Sequence, residues 1–211
     1  MLVINFKTYS ESTGSNALQL AKACESVSHD IVVCVQPTDI HLISSQTKLQ
    51  VFAQHTDLAK QGKNTGYILP EAIKAAGAKG TLLNHAEHRI PFDILTETIR
   101  RCNELSLKAI ACTDSLVEVE YLKQFHPYAI AFEDPALIGS GQSITKSKSE
   151  TIIKFADLLK GTNVIPLCGA GISTHEDVVE AEKLGTKGVL VASAITLAKN
   201  PKEIVEQLHL K

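Results

Sequence analysis

The chain is 211 residues long, with 21 Lys and Arg against 23 Asp and Glu for a formal net charge of -2, and 44% of its residues are hydrophobic. That balance excludes a protein that grips a nucleic acid backbone by bulk positive charge, and with only 12 glycines and 7 prolines the chain is neither disordered nor fibrous. Five cysteines, Cys24, Cys34, Cys102, Cys112 and Cys168, are odd in number and form no CxxC pair, which speaks against a disulfide framework or a zinc finger and for reduced thiols.

The first residues show no basic stretch leading into an apolar one, and polar residues break every apolar run well short of a membrane span. A cytoplasmic protein is expected, with no membrane or nucleic acid partner. The first apolar run, 2–6, is rich in Val and Ile, and helical spacing follows at 16–27. Similar runs recur at 31–35, 49–53, 80–83, 108–112, 128–132, 164–168 and 188–192. They are too continuous for strands with one wet face and suit parallel strands covered on both sides. Helical spacing returns at 92–105, 115–124, 147–159, 175–184 and 201–208, whereas the segments after the second and third runs are too short, or too rich in Gly and polar residues, for full helices.

Eight strand-then-helix cycles leave about 26 residues each, close to the shortest βα unit, and little room for a second domain. There is no GxGxxG after the first strand and no break in rhythm, which favours a closed ring over a doubly wound sheet. The prediction is an α/β chain forming one domain over residues 1–211, a (β/α)8 barrel with shortened helices.

In such a barrel the site lies at the carboxyl ends of the strands. The first predicted strand ends in Asn5 and Lys7, the fourth in Asn84, His85 and Glu87, and the sixth in Glu133. Taken singly, Lys7 reads as a solvated charge, His85 as a hydrogen-bonded rim residue and Glu133 as a helix-entry acid. At equivalent positions around one mouth they become a carboxylate, an imidazole and an ammonium able to converge.

Glycine-rich stretches follow the sixth and seventh strands, Ile138-Gly139-Ser140-Gly141 and Cys168-Gly169-Ala170-Gly171-Ile172-Ser173, where backbone amides can approach an oxyanion closely. The second leads into Ser173-Thr174-His175-Glu176, spaced as a capping box that opens a helix, so its amides and dipole would face a phosphate; the alternative is a plain turn and cap. The histidines outside this set, His29, His41, His55, His126, His175 and His209, lack ligand spacing, and no metal is expected.

Asn5-Phe6-Lys7 resembles the Asn-Trp-Lys signature of the triosephosphate isomerase family, and Asn84-His85-Ala86-Glu87-His88-Arg89 is similar to its Ser-His-Ser-Glu-Arg-Arg segment. Glu133 to Gly141 has the spacing of its Glu-Pro-x-x-x-Ile-Gly-Thr-Gly lid. The likeness runs from Asn5 to the Leu-Val-Ala-Ser-Ala segment at 190–194 and is closest to the family's short archaeal branch.

It implies a TIM barrel that interconverts dihydroxyacetone phosphate and glyceraldehyde 3-phosphate through an enediolate, without a cofactor. Glu133 is the implied base, His85 the electrophile and proton shuttle, and Lys7 the fixed positive charge, oriented by Asn5. Glu87 is implied as an accessory carboxylate, or else a helix-cap acid. That His85 stays neutral, lowered by a helix N-terminus, is carried over from the family itself and not deduced from these residues.

Backbone amides near Gly139, Gly171, Ser173, Ala192 and Ser193 are implied as the phosphate grip. The branch also implies a homo-oligomer, dimer or tetramer, with residues 52–67 reaching a neighbouring subunit and Thr65 near that neighbour's Lys7.

Two residues depart from the pattern. Asp134 stands where a proline is usual, which predicts a looser lid hinge and, if its carboxylate lies close, a higher pKa for Glu133. His88 stands where an arginine is usual and removes an ion pair expected there. The competing readings are another phosphate-binding barrel, such as a sugar-phosphate epimerase, and a catalytically silent barrel.

Overall fold

The computed structural model describes residues 1–138 and 142–209. Its strands are β1 (Leu2–Asn5), β2 (Val32–Val35), β3 (Gln50–Ala53), β4 (Gly80–Leu83), β5 (Lys108–Thr113), β6 (Ala129–Phe132), β7 (Ile165–Gly169) and β8 (Val189–Val191). They pair in parallel in chain order, and β8 returns to pair with β1, so the sheet closes into a TIM barrel. Each strand falls within a residue or two of its predicted run.

Helices α1 (Ser15–Glu25), α4 (Phe92–Glu104), α8 (His175–Lys183) and α10 (Pro201–Leu208) occupy the predicted segments, and α2 (Ile40–Ser44) and α3 (Pro70–Ala75) are the two short ones expected after β2 and β3. Two predicted helices are interrupted. The segment 115–124 is helical as α5 (Leu116–Leu122), tightens into a 3-10 turn and stops at His126, whose backbone is left-handed at φ 52°. The segment 147–159 divides into α6 (Ile144–Ser147) and α7 (Ser149–Leu159), with Lys148 between them at φ -138° and ψ 38°. A four-residue helix, α9 (Ser193–Thr196), follows β8 directly.

Burial on both faces explains the continuous apolar runs. One set of strand residues, including Val3, Phe52, Leu82, Ile110, Leu167 and Leu190, fills the lumen. The alternate set, including Ile4, Val33, Val51 and Ile130, packs outward against helix residues such as Leu20, Ile99 and Phe155. Burying one such leucine or isoleucine stabilises the fold by roughly 2 to 3 kcal/mol.

The period of two along a strand then carries the lumen register from Val3 to Asn5, Phe52 to Gln54, Ala131 to Glu133, Leu167 to Gly169 and Leu190 to Ala192. The floor is apolar and the upper rim polar. Among the described residues, no helix is long and apolar enough to cross a membrane.

Candidate active site

A cavity of about 250 Å³ opens at that rim, lined by Asn5, Lys7, His85, Glu133, Gly171, Ser173, Ala192 and Ser193. Its size suits a molecule smaller than a typical drug-sized ligand. Gly139, the remaining predicted position, lies outside the described residues. Ile138, Ala170 and Ala194, which lie within the stretches singled out in the sequence, also line the cavity, as does Tyr9, which no signal in the sequence marks.

Lys7 has a left-handed backbone, φ 51°, unusual for a residue with a Cβ. Its N–H donates to Asn5 Oδ1 at 3.0 Å, and its ammonium donates to Glu87 Oε1 at 2.6 Å. Asn5 thus contacts the Lys7 backbone, and Glu87 its side chain.

His85 reaches the cavity because Asn84, at φ 59°, turns the chain just past β4. The Asn84 amide pins that turn, donating to the Cys112 carbonyl at 3.0 Å and accepting from the Ile90 N–H at 3.1 Å. His85 Nδ1 accepts the Glu87 N–H at 3.2 Å, which leaves the ring proton on Nε2, the nitrogen facing Glu133. The donor differs from the expected helix N-terminus. It belongs to a turn in which the His88 N–H donates to the His85 carbonyl at 2.8 Å, and α4 begins only at Phe92. Burial lowers the imidazole pKa and the Lys7 and Arg89 charges lower it further, against the opposing pull of Glu87. The ring is therefore neutral near pH 7.

Glu133 is 6% exposed. Its Oε2 sits 3.6 Å from His85 Nε2, too far for a hydrogen bond, and has no hydrogen-bond partner among the described residues. Burial pushes its pKa up to about 7, helped by Glu87 and restrained by the Cys112 thiol, Lys7 and Arg89. The carboxylate is thus a base matched to neutral pH.

Asp134 takes no part in that shift, contrary to the expectation. Its carboxylate pairs with Lys148, at the break between α6 and α7, and accepts the Ala136 N–H at 2.9 Å. These contacts hold its own pKa below the usual range. Where the family pattern has a proline ring, this chain has an ion pair. His88 makes a different contact from the missing arginine, stacking on His55 with ring centroids 4.3 Å apart, while Arg89 pairs with Asp114 at 3.1 Å.

The capping box after β7 lies one residue beyond the predicted one. Thr174 caps α8, and Asp177 completes the box, its carboxylate accepting the Ser173 and Thr174 N–H groups at 3.1 Å each. The Ser173 amide is therefore already engaged by a carboxylate, and its hydroxyl is the group left to a ligand.

Two glycines here are steric requirements. A Cβ on Gly171, at φ 70°, would come 1.9 Å from the Gln142 carbonyl oxygen, and one on Gly169 would come 2.6 Å from Glu133 Oε1. Gly169→Ala is expected to displace the carboxylate and lower kcat by about 10- to 100-fold with the circular dichroism spectrum unchanged. Steady-state kinetics test this, and undiminished kcat refutes it.

A base tuned to neutral pH, a neutral imidazole and an ammonium converge on a small cavity with tight glycine turns at its rim. This fold and site define a barrel enzyme of the proton-transfer class. A family model described as triosephosphate isomerase matches residues 1–208. Among the relatives, the triosephosphate isomerase of Sulfolobus acidocaldarius is 43% identical over 98% of this chain and 92% of its own length. That of Methanothermus fervidus is 42% identical over 99% and 96%, and that of Methanocaldococcus jannaschii 41% over 99% and 98%. The chain belongs to the triosephosphate isomerase family.

Proposed function

We propose that Glu133, His85 and Lys7 are the catalytic groups with which this isomerase interconverts dihydroxyacetone phosphate and D-glyceraldehyde 3-phosphate. Glu133 removes a proton from the carbon beside the carbonyl, and the electron pair moves onto the carbonyl oxygen to give an enediolate. His85 donates from Nε2 to that oxygen and recovers a proton from the neighbouring hydroxyl, after which Glu133 returns its proton to the adjacent carbon. The Lys7 ammonium offsets the negative charge that accumulates. Proton transfer without net oxidation calls for no cofactor or metal.

Gly139, Gly171, Ser173, Ala192 and Ser193 hold the phosphate, Ser173 through its hydroxyl. The observation that carries the reading is the facing pair, Glu133 Oε2 and His85 Nε2, 3.6 Å apart beside Lys7. A coupled assay with glyceraldehyde 3-phosphate tests it. Turnover supports it, turnover of a different sugar phosphate alone favours the epimerase-type alternative, and none at all favours a silent barrel.

The chain works as one barrel domain over 1–211, in the cytoplasm, as a homo-oligomer. Support for assembly comes from apolar side chains on neighbouring outer helices: Phe92 and Tyr121 meet edge to face at 6.4 Å, with exposed Val117 on the same helix as Tyr121. Residues 52–67 would supply a second contact, bringing Thr65 near a neighbour's Lys7. Sedimentation at micromolar concentration is expected to give a dimer or tetramer, and a monomer would refute the assembly.

A further inference from the structure

We propose that Gln54 is a positioning residue for Lys7, its side-chain amide holding the Lys7 backbone in the conformation that aims the ammonium into the cavity. The inference rests on the catalytic reading of Lys7 above. A left-handed backbone is unfavourable for a residue with a Cβ, so the surroundings of Lys7 must maintain it.

Two side chains do so. Asn5, on the same strand, takes the Lys7 N–H at 3.0 Å. Gln54, just past β3, donates from Nε2 to the Lys7 carbonyl at 2.7 Å and to the Cys34 carbonyl at 3.2 Å. One amide therefore ties together the ends of three neighbouring strands. Its orientation is settled by its partners, since an amide oxygen placed there would face two carbonyl oxygens.

Gln54 is itself fixed, because its backbone N–H donates to the Val35 carbonyl at 3.0 Å, continuing the β2–β3 ladder. Its side chain thus approaches Lys7 from a rigid stave rather than a loose loop. Without it, Asn5 would still hold the N–H side of the residue, but the carbonyl side could rotate. Rotation there swings the side chain, and with it the ammonium now 2.6 Å from Glu87, away from the cavity.

The test is a double-mutant cycle on kcat/KM with glyceraldehyde 3-phosphate. Gln54→Met keeps the length of the side chain and removes both donors. It is expected to lower kcat/KM by about tenfold or more with a cooperative thermal transition retained, yet to cost less than about threefold in a Lys7→Met background, since residues acting through one another are not additive. The acid limb of the pH profile should also move to higher pH in Gln54→Met, because the ammonium that restrains the Glu133 pKa has drifted, while Cys112, Glu87 and Arg89 remain in place.

If the methionine variant does not fold, Gln54→Asn, which keeps an amide too short to span both carbonyls, takes its place in the cycle with the same expectation. Equal losses in both backgrounds, or an unmoved acid limb with little loss, would overturn the role of Gln54. An undiminished Lys7→Met enzyme would overturn the reading of Lys7 and this inference together.

Discussion

Replacing Glu133 by glutamine is expected to lower kcat by about 10³-fold or more and, at the same time, to make the protein harder to unfold at pH 8. The first effect follows from removing the base. The second follows from its burial, since the carboxyl titrates at about 7 in the fold against an ordinary value of 4.5. Below pH 4.5 both folded and unfolded chains hold the proton and the side chain is neutral in its effect. As pH rises through the window to 7, the unfolded chain ionises freely while the folded one must ionise in a dry site. Folding loses up to roughly 3 kcal/mol across that window, and the loss is complete above the folded pKa.

Glutamine never ionises and escapes the loss. Thermal unfolding of Glu133→Gln should therefore exceed that of the parent at pH 8 and match it at pH 4. A stability difference that does not vary with pH would sink the argument, as would surviving turnover. In the parent, the same titration makes kcat/KM fall as pH drops below about 7, with one proton involved.

Lys7→Met is expected to lower kcat/KM by about 10³-fold. Among the described residues lining the cavity, Lys7 carries the fixed positive charge, and both the phosphate of the substrate and the enediolate are anionic. A second signature separates this loss from simple disorder. Lys7 restrains the Glu133 pKa and depresses that of His85, so its removal should raise both. The acid limb of kcat/KM then moves to higher pH. Loss of activity with an unshifted limb would mean that the lysine acts by something other than its charge.

The barrel was legible because two-sided burial leaves a signature of its own, eight continuous apolar runs separated by helical spacing. Asn5 and Glu133 were legible because strand register carries every second residue past the lumen to the mouth, where polar residues stand out against an apolar floor, whereas His85, one residue off the register of Leu82, reaches the cavity only through the turn at Asn84. What escaped depends on tertiary contacts.

Ser173 and Thr174 are both competent helix caps, and Glu176 and Asp177 are both competent partners, so only the path of the chain decided between them. Lys148 has good helical propensity, and nothing local announces that the helix breaks there, where its ammonium pairs with Asp134. The direction of Asp134 escaped as well, because it is set by the ion pair with Lys148. The Glu87 amide that sets the ring tautomer of His85 could not be read, because a backbone donor leaves no mark in side-chain identity.

The pairing of β1 with both β2 and β8 has a consequence for biosynthesis. Lys7 lies just past β1, yet that strand acquires its second neighbour only when residues 189–191 emerge. A nascent chain halted short of that point would carry Lys7, His85 and Glu133 on an unclosed sheet. Turnover would thus require residues 189–191 to be in place, and its appearance during translation would time the moment the ring shuts.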